Sequence, residues 1–291
     1  MLKLNATKLE NPDVVLDFPL ESVQRIYSET GWRPQLQIIG LGTVGEAQAH
    51  VFRELGCDVY GYDPFLKKAP VEDVTFSASK PFAECDITFI CTMESLVENV
   101  VKELKDSGYR GLIVIKSSVV PKTTVTLMEK YDLHICHSPE FVREKTSIQD
   151  ALSPDRIVIG QCCEKHGKQL EMLYKPLSSQ IIVVDPTTSE TAKLLGNSYL
   201  ALMISFWNQA HQLAQTLSIT ASDLAKIVTA DKRISKHGTK WFGESFDGKC
   251  LPKDLEHLIE AFKAEGIKPT LLEATRQIND ALARGEGRTD A

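Results

Sequence analysis

The sequence predicts an α/β fold in which a doubly wound parallel sheet is followed by an all-helical domain. Three observations carry this expectation. Short apolar runs alternate with helix-periodic segments from Leu36 to Val184, the pattern of strands covered on both faces by helices. After Asp185-Pro186 the character changes to long helical periodicity with few breakers. The length, 291 residues, suits two domains, each with its own core.

Taken in order, Leu36–Ile39 reads as the first strand and runs into Gly40. Glu46–Leu55 reads as a helix and Asp58–Tyr62 as the second strand. Ile87–Cys91 and Leu112–Ile115 are continuous apolar runs, expected as buried strands, with Val97–Leu104 and Thr124–Lys130 as helices. Leu133–Cys136, Arg156–Ile159 and Gln180–Val184 complete the strands. Ser189–Leu217, Ser222–Thr229, Leu255–Glu265 and Thr270–Ala283 read as the helices of the second half. The expected organisation is an extension at 1–34, a sheet domain at 35–185 and a helical domain at 186–291. Within the extension, Glu21–Ser28 has the pattern of a short helix ended by Gly31 and Pro34.

Composition narrows the function class. The chain is 43% hydrophobic and 25% charged with net charge -6, an ordinary globular balance without the basic surplus of a nucleic-acid binder. The odd set of seven cysteines, Cys57, Cys85, Cys91, Cys136, Cys162, Cys163 and Cys250, has no CxxC pair and no zinc-type spacing. The expectation is therefore a reduced compartment, small core cysteines and no metal. Met1–Pro34 has no signal-peptide pattern, and the apolar stretch Tyr199–Phe206 is too short to span a bilayer. A cytoplasmic location and no membrane partner are expected.

Gly40-Leu41-Gly42-Thr43-Val44-Gly45 follows an apolar strand and opens a helix. In that setting the first glycine permits a tight turn, the second admits a pyrophosphate and the third lets helix pack on strand. Phosphates then meet the free N–H groups of a helix N-terminus. Asp63 closes the second strand roughly 20 residues on, where a carboxylate holds the adenine ribose hydroxyls and repels a 2′-phosphate. This predicts a Rossmann domain that binds NAD through Gly40, Gly42, Thr43, Val44, Gly45 and Asp63.

The second half supplies reactive groups. Cys250 follows the turn Phe246-Asp247-Gly248-Lys249 and precedes Leu251-Pro252-Lys253-Asp254. Helix N-termini and lysines favour the thiolate of a neighbouring cysteine, so Cys250 is a candidate nucleophile; by composition alone a structural cysteine fits as well. Asp254, one turn on, is placed to hold water or take a proton. Lys193 and Asn197 share a helix face at i and i+4, and a cation beside an amide can stabilise an oxyanion. Lys116-Ser117-Ser118-Val119 and His137-Ser138-Pro139-Glu140-Phe141 each follow a strand, where doubly wound sheets gather ligands.

In chain order, Gly40–Gly45, Lys116–Val119, Ser138–Phe141, Pro154–Gly160, Glu190–Asn197, Arg233-Ile234 and Cys250-x-Pro-Lys-Asp254 together resemble the UDP-glucose/GDP-mannose dehydrogenase family, the nucleotide-sugar 6-dehydrogenases. The resemblance runs from about residue 36 to 283. It implies oxidation of a sugar C6 alcohol to a carboxylate in two hydride transfers to NAD. Cys250 would capture the aldehyde as a thiohemiacetal, later a thioester. Lys193 and Asn197 would stabilise the oxyanion, Glu140 and Asp254 would handle water and protons, and Ser118 would supply the catalytic-site hydroxyl that the family usually takes from threonine. Glu144 would lie near the nicotinamide. Arg233, Lys253 and Gly248 would bind substrate, Arg233 across a homodimer interface built on the long helix at Ser189–Leu217.

The chain departs from the family pattern. It ends near the helix that leads to the family's third domain, the expectation being either a natural short form or a fragment. The segments after Asp63 and Cys91 are short, Asp247 replaces a glycine, Ser118 replaces a threonine, and residues 1–34 have no counterpart. Two other readings remain. A two-domain β-hydroxyacid dehydrogenase would share the glycine loop and a helical lysine–asparagine pair but need no cysteine. A non-catalytic NAD- or nucleotide-binding homologue would keep the fold alone.

Overall fold

The computed structural model describes residues 34–178, 180–248 and 250–285. The expected helix at Glu21–Ser28 and Lys249 lie outside the described residues. The chain divides into two compact units. The first runs to Ser117 and resumes over Lys122–Ser189; the second comprises Ser118–Pro121 and Glu190–Ala291.

The first unit is a sheet of eight strands: β1 (Gln35–Ile39), β2 (Asp58–Tyr62), β3 (Thr75–Ser77), β4 (Ile87–Ile90), β5 (Leu112–Ile115), β6 (Ile135–His137), β7 (Ile157–Gly160) and β8 (Ile181–Val184). Their spatial order is β3-β2-β1-β4-β5-β6-β7-β8. Helices α1 (Thr43–Glu54), α2 (Glu94–Asp106), α3 (Thr123–Tyr131), α4 (Ser147–Leu152) and α5 (Glu164–Tyr174) connect them. The central strands are apolar because both faces are covered: every residue of β4, β5 and β7 is buried. Leu36, Ile38, Phe52, Phe89 and Val114 belong to the core. Gln37 is the fully buried polar residue of β1. Its amide spans Thr88 Oγ1 and the Phe82 backbone, so both ends of the Gln37 amide are satisfied.

The sheet is parallel from β3 to β6, as expected, and again between β7 and β8. The exception to the parallel arrangement lies at β6 and β7. They run antiparallel and share a single bridged pair, His137 with Gly160. The connection between them contains only a short 3₁₀ turn, Glu144–Thr146, and the six-residue α4, about 9 Å of helix. It returns the chain to the sheet at the edge from which β6 left, so β7 runs back. β3, α4 and α5 were not anticipated in the sequence; β3 has three residues and α4 six.

α6 (Pro186–Thr216) continues from the end of the first unit into the second, where it is joined by α7 (Ala221–Val228), α8 (Leu251–Ala264) and α9 (Thr270–Ala283). Ala201, Ile204, Phe246, Leu255 and Ile259 form the core of this unit. On α6, Leu195, Tyr199, Phe206 and Leu213 are exposed in the single chain, as is Leu217 just past its end. Successive spacings of 4 and 7 residues draw one stripe along a helix.

Candidate active site

The glycine loop occupies the carboxyl end of β1. Gly40 N donates to Tyr62 O at 2.9 Å, which ties the turn to β2. A Cβ on Gly45 would lie 1.9 Å from Gly40 O, so only glycine lets α1 pack this close to the turn. Gly42 stands at the N-cap of α1 and no side chain caps the helix. The first-turn N–H groups have no intrahelical acceptors and suit a phosphate. Asp63 closes the arrangement: Leu41 N donates to its Oδ2 and Phe65 N to its Oδ1, both at 2.9 Å. Each carboxylate oxygen retains acceptor capacity for a ribose hydroxyl. Thr43 and Val44 begin α1 on the same loop.

Further along the same edge, buried Lys116 forms an ion pair with half-buried Glu140. Lys116 also donates to Tyr174 Oη at 3.4 Å and lies over that ring. Burial works against the ammonium, but Glu140 and the Tyr174 oxygen outweigh it and the Lys116 pKa is raised. Burial pushes the neighbouring Cys91 thiol up to about 12, which marks a core cysteine rather than a nucleophile. A cavity of about 440 Å³ opens here, lined by Lys116, Glu140, Arg143, Asp155, Arg156 and Tyr174 among others. The sequence motif contained Lys116 but assigned it no role; its partner is fixed only by the fold. Glu144 opens the 3₁₀ turn and is exposed. Arg143 folds back on Asp150 through its backbone N–H and guanidinium at 2.6–3.0 Å, which latches the ends of the segment carrying Glu144.

The second unit gathers the other candidates. Cys250 is the exposed N-cap of α8, and Pro252 lies in its first turn. Gly248, two residues earlier, has φ +79, a left-handed turn that costs a side chain about 1 kcal/mol or more. Asp254 is 1% exposed. Its Oδ2 accepts from Asn197 Nδ2 at 2.6 Å and from Ser118 Oγ at 3.4 Å. Its Oδ1 pairs with Lys253 Nζ at 3.0 Å, and Lys253 also reaches Ser118 O at 3.4 Å. Lys193 is buried one turn before Asn197 on α6. Ser118, Asn197 and the Lys253-Asp254 pair, three separate stretches of sequence, thus form one connected cluster at the start of the helix that Cys250 opens.

Two asparagines that sequence reasoning missed hold the approach to Cys250. Asn208 of α6 donates to Glu244 O at 2.9 Å and accepts from Gly243 N at 2.8 Å. Asn279 of α9 accepts from Phe246 N at 2.7 Å and donates to Phe246 O at 3.0 Å. Each amide replaces a strand partner for a loop that has none. No local spacing signals this. Arg233 stands apart from the cluster, exposed and forked onto Asp231 at 2.5–3.1 Å.

A glycine loop on a doubly wound sheet, with a carboxylate at the end of β2, defines a dinucleotide-binding domain; here it precedes a helical unit bearing an exposed thiol. Residues 65–178 match the NAD binding domain of the UDP-glucose/GDP-mannose dehydrogenase family, and residues 187–281 match its central domain. The chain belongs to this family, and NAD is its cofactor. It is 33% identical to a UDP-glucose 6-dehydrogenase of Campylobacter jejuni over 63% of this chain and 47% of that protein. It is 27% identical to the UDP-glucose 6-dehydrogenase AglM of Haloferax volcanii over 84% of this chain and 69% of that one. A UDP-glucose dehydrogenase structure from Pyrobaculum islandicum superposes with TM-score 0.79 at 27% identity, covering 87% of this chain and 69% of that chain. The chain spans about half the length of several curated relatives it matches. No helix among the described residues is long and apolar enough to cross a membrane.

Proposed function

We propose that this chain oxidises the C6 alcohol of a UDP- or GDP-linked sugar to the carboxylate, with Cys250 as covalent nucleophile. The observation that carries the reading is Cys250 at the open end of α8, one turn from the buried Asp254 and its cluster. NAD held by the glycine loop and Asp63 would accept one hydride per molecule, so two NAD would be used in turn for the two transfers. Between the two transfers, the Cys250 thiolate adds to the C6 aldehyde to form a thiohemiacetal. Loss of the second hydride leaves a thioester, and water releases the carboxylate and frees the thiol. Covalent capture divides one difficult oxidation into easier steps and retains the aldehyde. The Lys193 ammonium and Asn197 amide stabilise the oxyanion at C6. Asp254, fixed by Asn197, Ser118 and Lys253, orients water and takes protons, with Glu140 as the second carboxylate. Glu144 attends the nicotinamide; Arg233, Lys253 and Gly248 contact substrate.

The exposed apolar residues along α6 support a homodimer, since contiguous exposed apolar surface marks interaction sites. A cytoplasmic location fits the free cysteines.

The experiment is turnover of a panel of UDP- and GDP-sugars with NAD, followed by NADH absorbance, in the native chain and in Cys250→Ala. The expected result is two NADH per sugar, lost in the variant. Turnover of a small hydroxy acid with one NADH, retained in Cys250→Ala, would instead establish a β-hydroxyacid dehydrogenase. NAD binding without any turnover would overturn catalysis by this chain.

A further inference from the structure

At the sheet edge opposite the glycine loop, four ligand-type side chains converge. β7 runs antiparallel to β6, so the residues following β7 meet the start of β6. His134 directly precedes β6, Cys162 and Cys163 follow β7, and His166 lies in the first turn of α5. The sequence spacing shows no metal signature because the His134 ligand comes from a different strand connection.

We propose that His134, Cys162, Cys163 and His166 bind one tetrahedral divalent cation of the zinc class, which staples β6 to β7. The candidate donor atoms all lie within 4.8 Å of one another. Cys162 Sγ is 3.2 Å from His166 Nδ1, 3.8 Å from His134 Nδ1 and 4.0 Å from Cys163 Sγ. Cys163 Sγ is 3.3 Å from His166 Nδ1. A tetrahedral zinc with ordinary bond lengths separates two sulfurs by roughly 3.8 Å and a sulfur from a nitrogen by roughly 3.5 Å. The four groups therefore stand close to the edges of a zinc tetrahedron.

The chemistry of the set selects the metal. Two thiolates and two imidazoles are borderline-soft donors that suit zinc and cobalt rather than magnesium or calcium. His134 is exposed and the other three half-buried, so an ion enters from solvent. Cys136, fully buried on β6, places its Sγ 3.6 Å from Cys162 Sγ and accepts from Cys162 N at 3.3 Å. That thiol braces the ligand sulfur from behind, as a second layer does in built metal sites. The staple falls where the sheet is weakest, since β6 and β7 share one bridged pair. Its role is structural and independent of the dehydrogenase reading, because it lies at the amino-terminal end of β6 while the glycine loop follows the carboxyl end of β1.

The test is titration of the reduced, metal-free full chain with Co²⁺, followed by displacement with Zn²⁺. One equivalent of cobalt is expected to give the intense visible bands of a tetrahedral site and a near-ultraviolet thiolate-to-cobalt band, both removed by zinc. Cys163→Ser and His134→Ala are each expected to weaken binding at least tenfold; exposed His134 is the variant least able to disturb folding. Cys250→Ser, a separate thiol, is expected to leave the spectrum intact. Saturating zinc is expected to raise Tm by roughly 5–10 °C. A weak octahedral cobalt spectrum, no binding, or a spectrum lost in Cys250→Ser but retained in His134→Ala would overturn the site.

Discussion

Asn197 donates its side-chain amide to Asp254 Oδ2 at 2.6 Å, joining the long helix α6 to the helix that Cys250 opens. A buried carboxylate stripped of this donor keeps Ser118 and Lys253 but loses its shortest hydrogen bond. Asn197→Ala is therefore expected to lower unfolding free energy by about 1.5–3 kcal/mol in a urea titration. Asn197→Asp sets a second carboxylate against the first and is expected to cost more. Equal stability of both variants and the native chain would contradict the cluster.

The glycine loop separates folding from binding. A Cβ on Gly45 meets Gly40 O at 1.9 Å, whereas one on Gly42 meets nothing within 4 Å. Gly45→Ala is expected to destabilise the chain by about 3 kcal/mol or more, as overpacking against backbone leaves no soft partner to move. Gly42→Ala is expected to cost less than about 1 kcal/mol while obstructing the approach of a pyrophosphate. Thermal melting and NAD titration on the two variants separate these effects.

Much of this was legible because the strands are buried on both faces. Asp58–Tyr62 and Leu112–Ile115 have the expected bounds, as does the helix Thr270–Ala283. Leu112–Ile115 is a continuous apolar run, Thr270–Ala283 has a clean helical period, and Asp58–Tyr62 is a β-prone stretch between Gly56 and Asp63. β3 escaped because three residues carry no period, and the antiparallel β7 because strand direction depends on where a connection ends. The glycine loop and the Cys250 segment were readable as local patterns. The Lys116–Glu140 pair and the Asn208 and Asn279 clamps were not, since their partners are brought together only by the fold.

The clamps make their own prediction. Asn279 satisfies both backbone polar groups of buried Phe246, ahead of Gly248 and Cys250. Asn279→Ala leaves an N–H and a carbonyl without protein partners and is expected to cost about 2–3 kcal/mol in chemical denaturation. Asn279→Asp retains the acceptor for Phe246 N and is expected to recover part of the loss. A common loss in both variants would assign the effect to packing instead.

The Lys116–Glu140 pair at the cavity predicts non-additivity. Lys116→Met leaves Glu140 without its cation, and Glu140→Gln leaves a buried ammonium without its anion. Each single change is expected to cost about 3–5 kcal/mol, and the double variant much less than their sum. A double-mutant cycle by urea unfolding measures the coupling; strict additivity would mean that the two charges are solvated independently.

The latch at Asp150 has a pH signature. Hydrogen bonding to Arg143, opposed by burial and assisted by Thr146, holds the Asp150 carboxyl down at about 2. A depressed acid pKa contributes stability that is complete above the unfolded value, about 4, and is lost as pH falls through about 2. Asp150→Asn is expected to cost about 1 kcal/mol at neutral pH, a figure reduced for solvent screening of the exposed Arg143. The gap between native chain and variant is expected to narrow steadily below pH ~4. Urea unfolding of both proteins across that range checks the sign, and a gap that widened toward acid would show that Asp150 is held by something other than its ionised form.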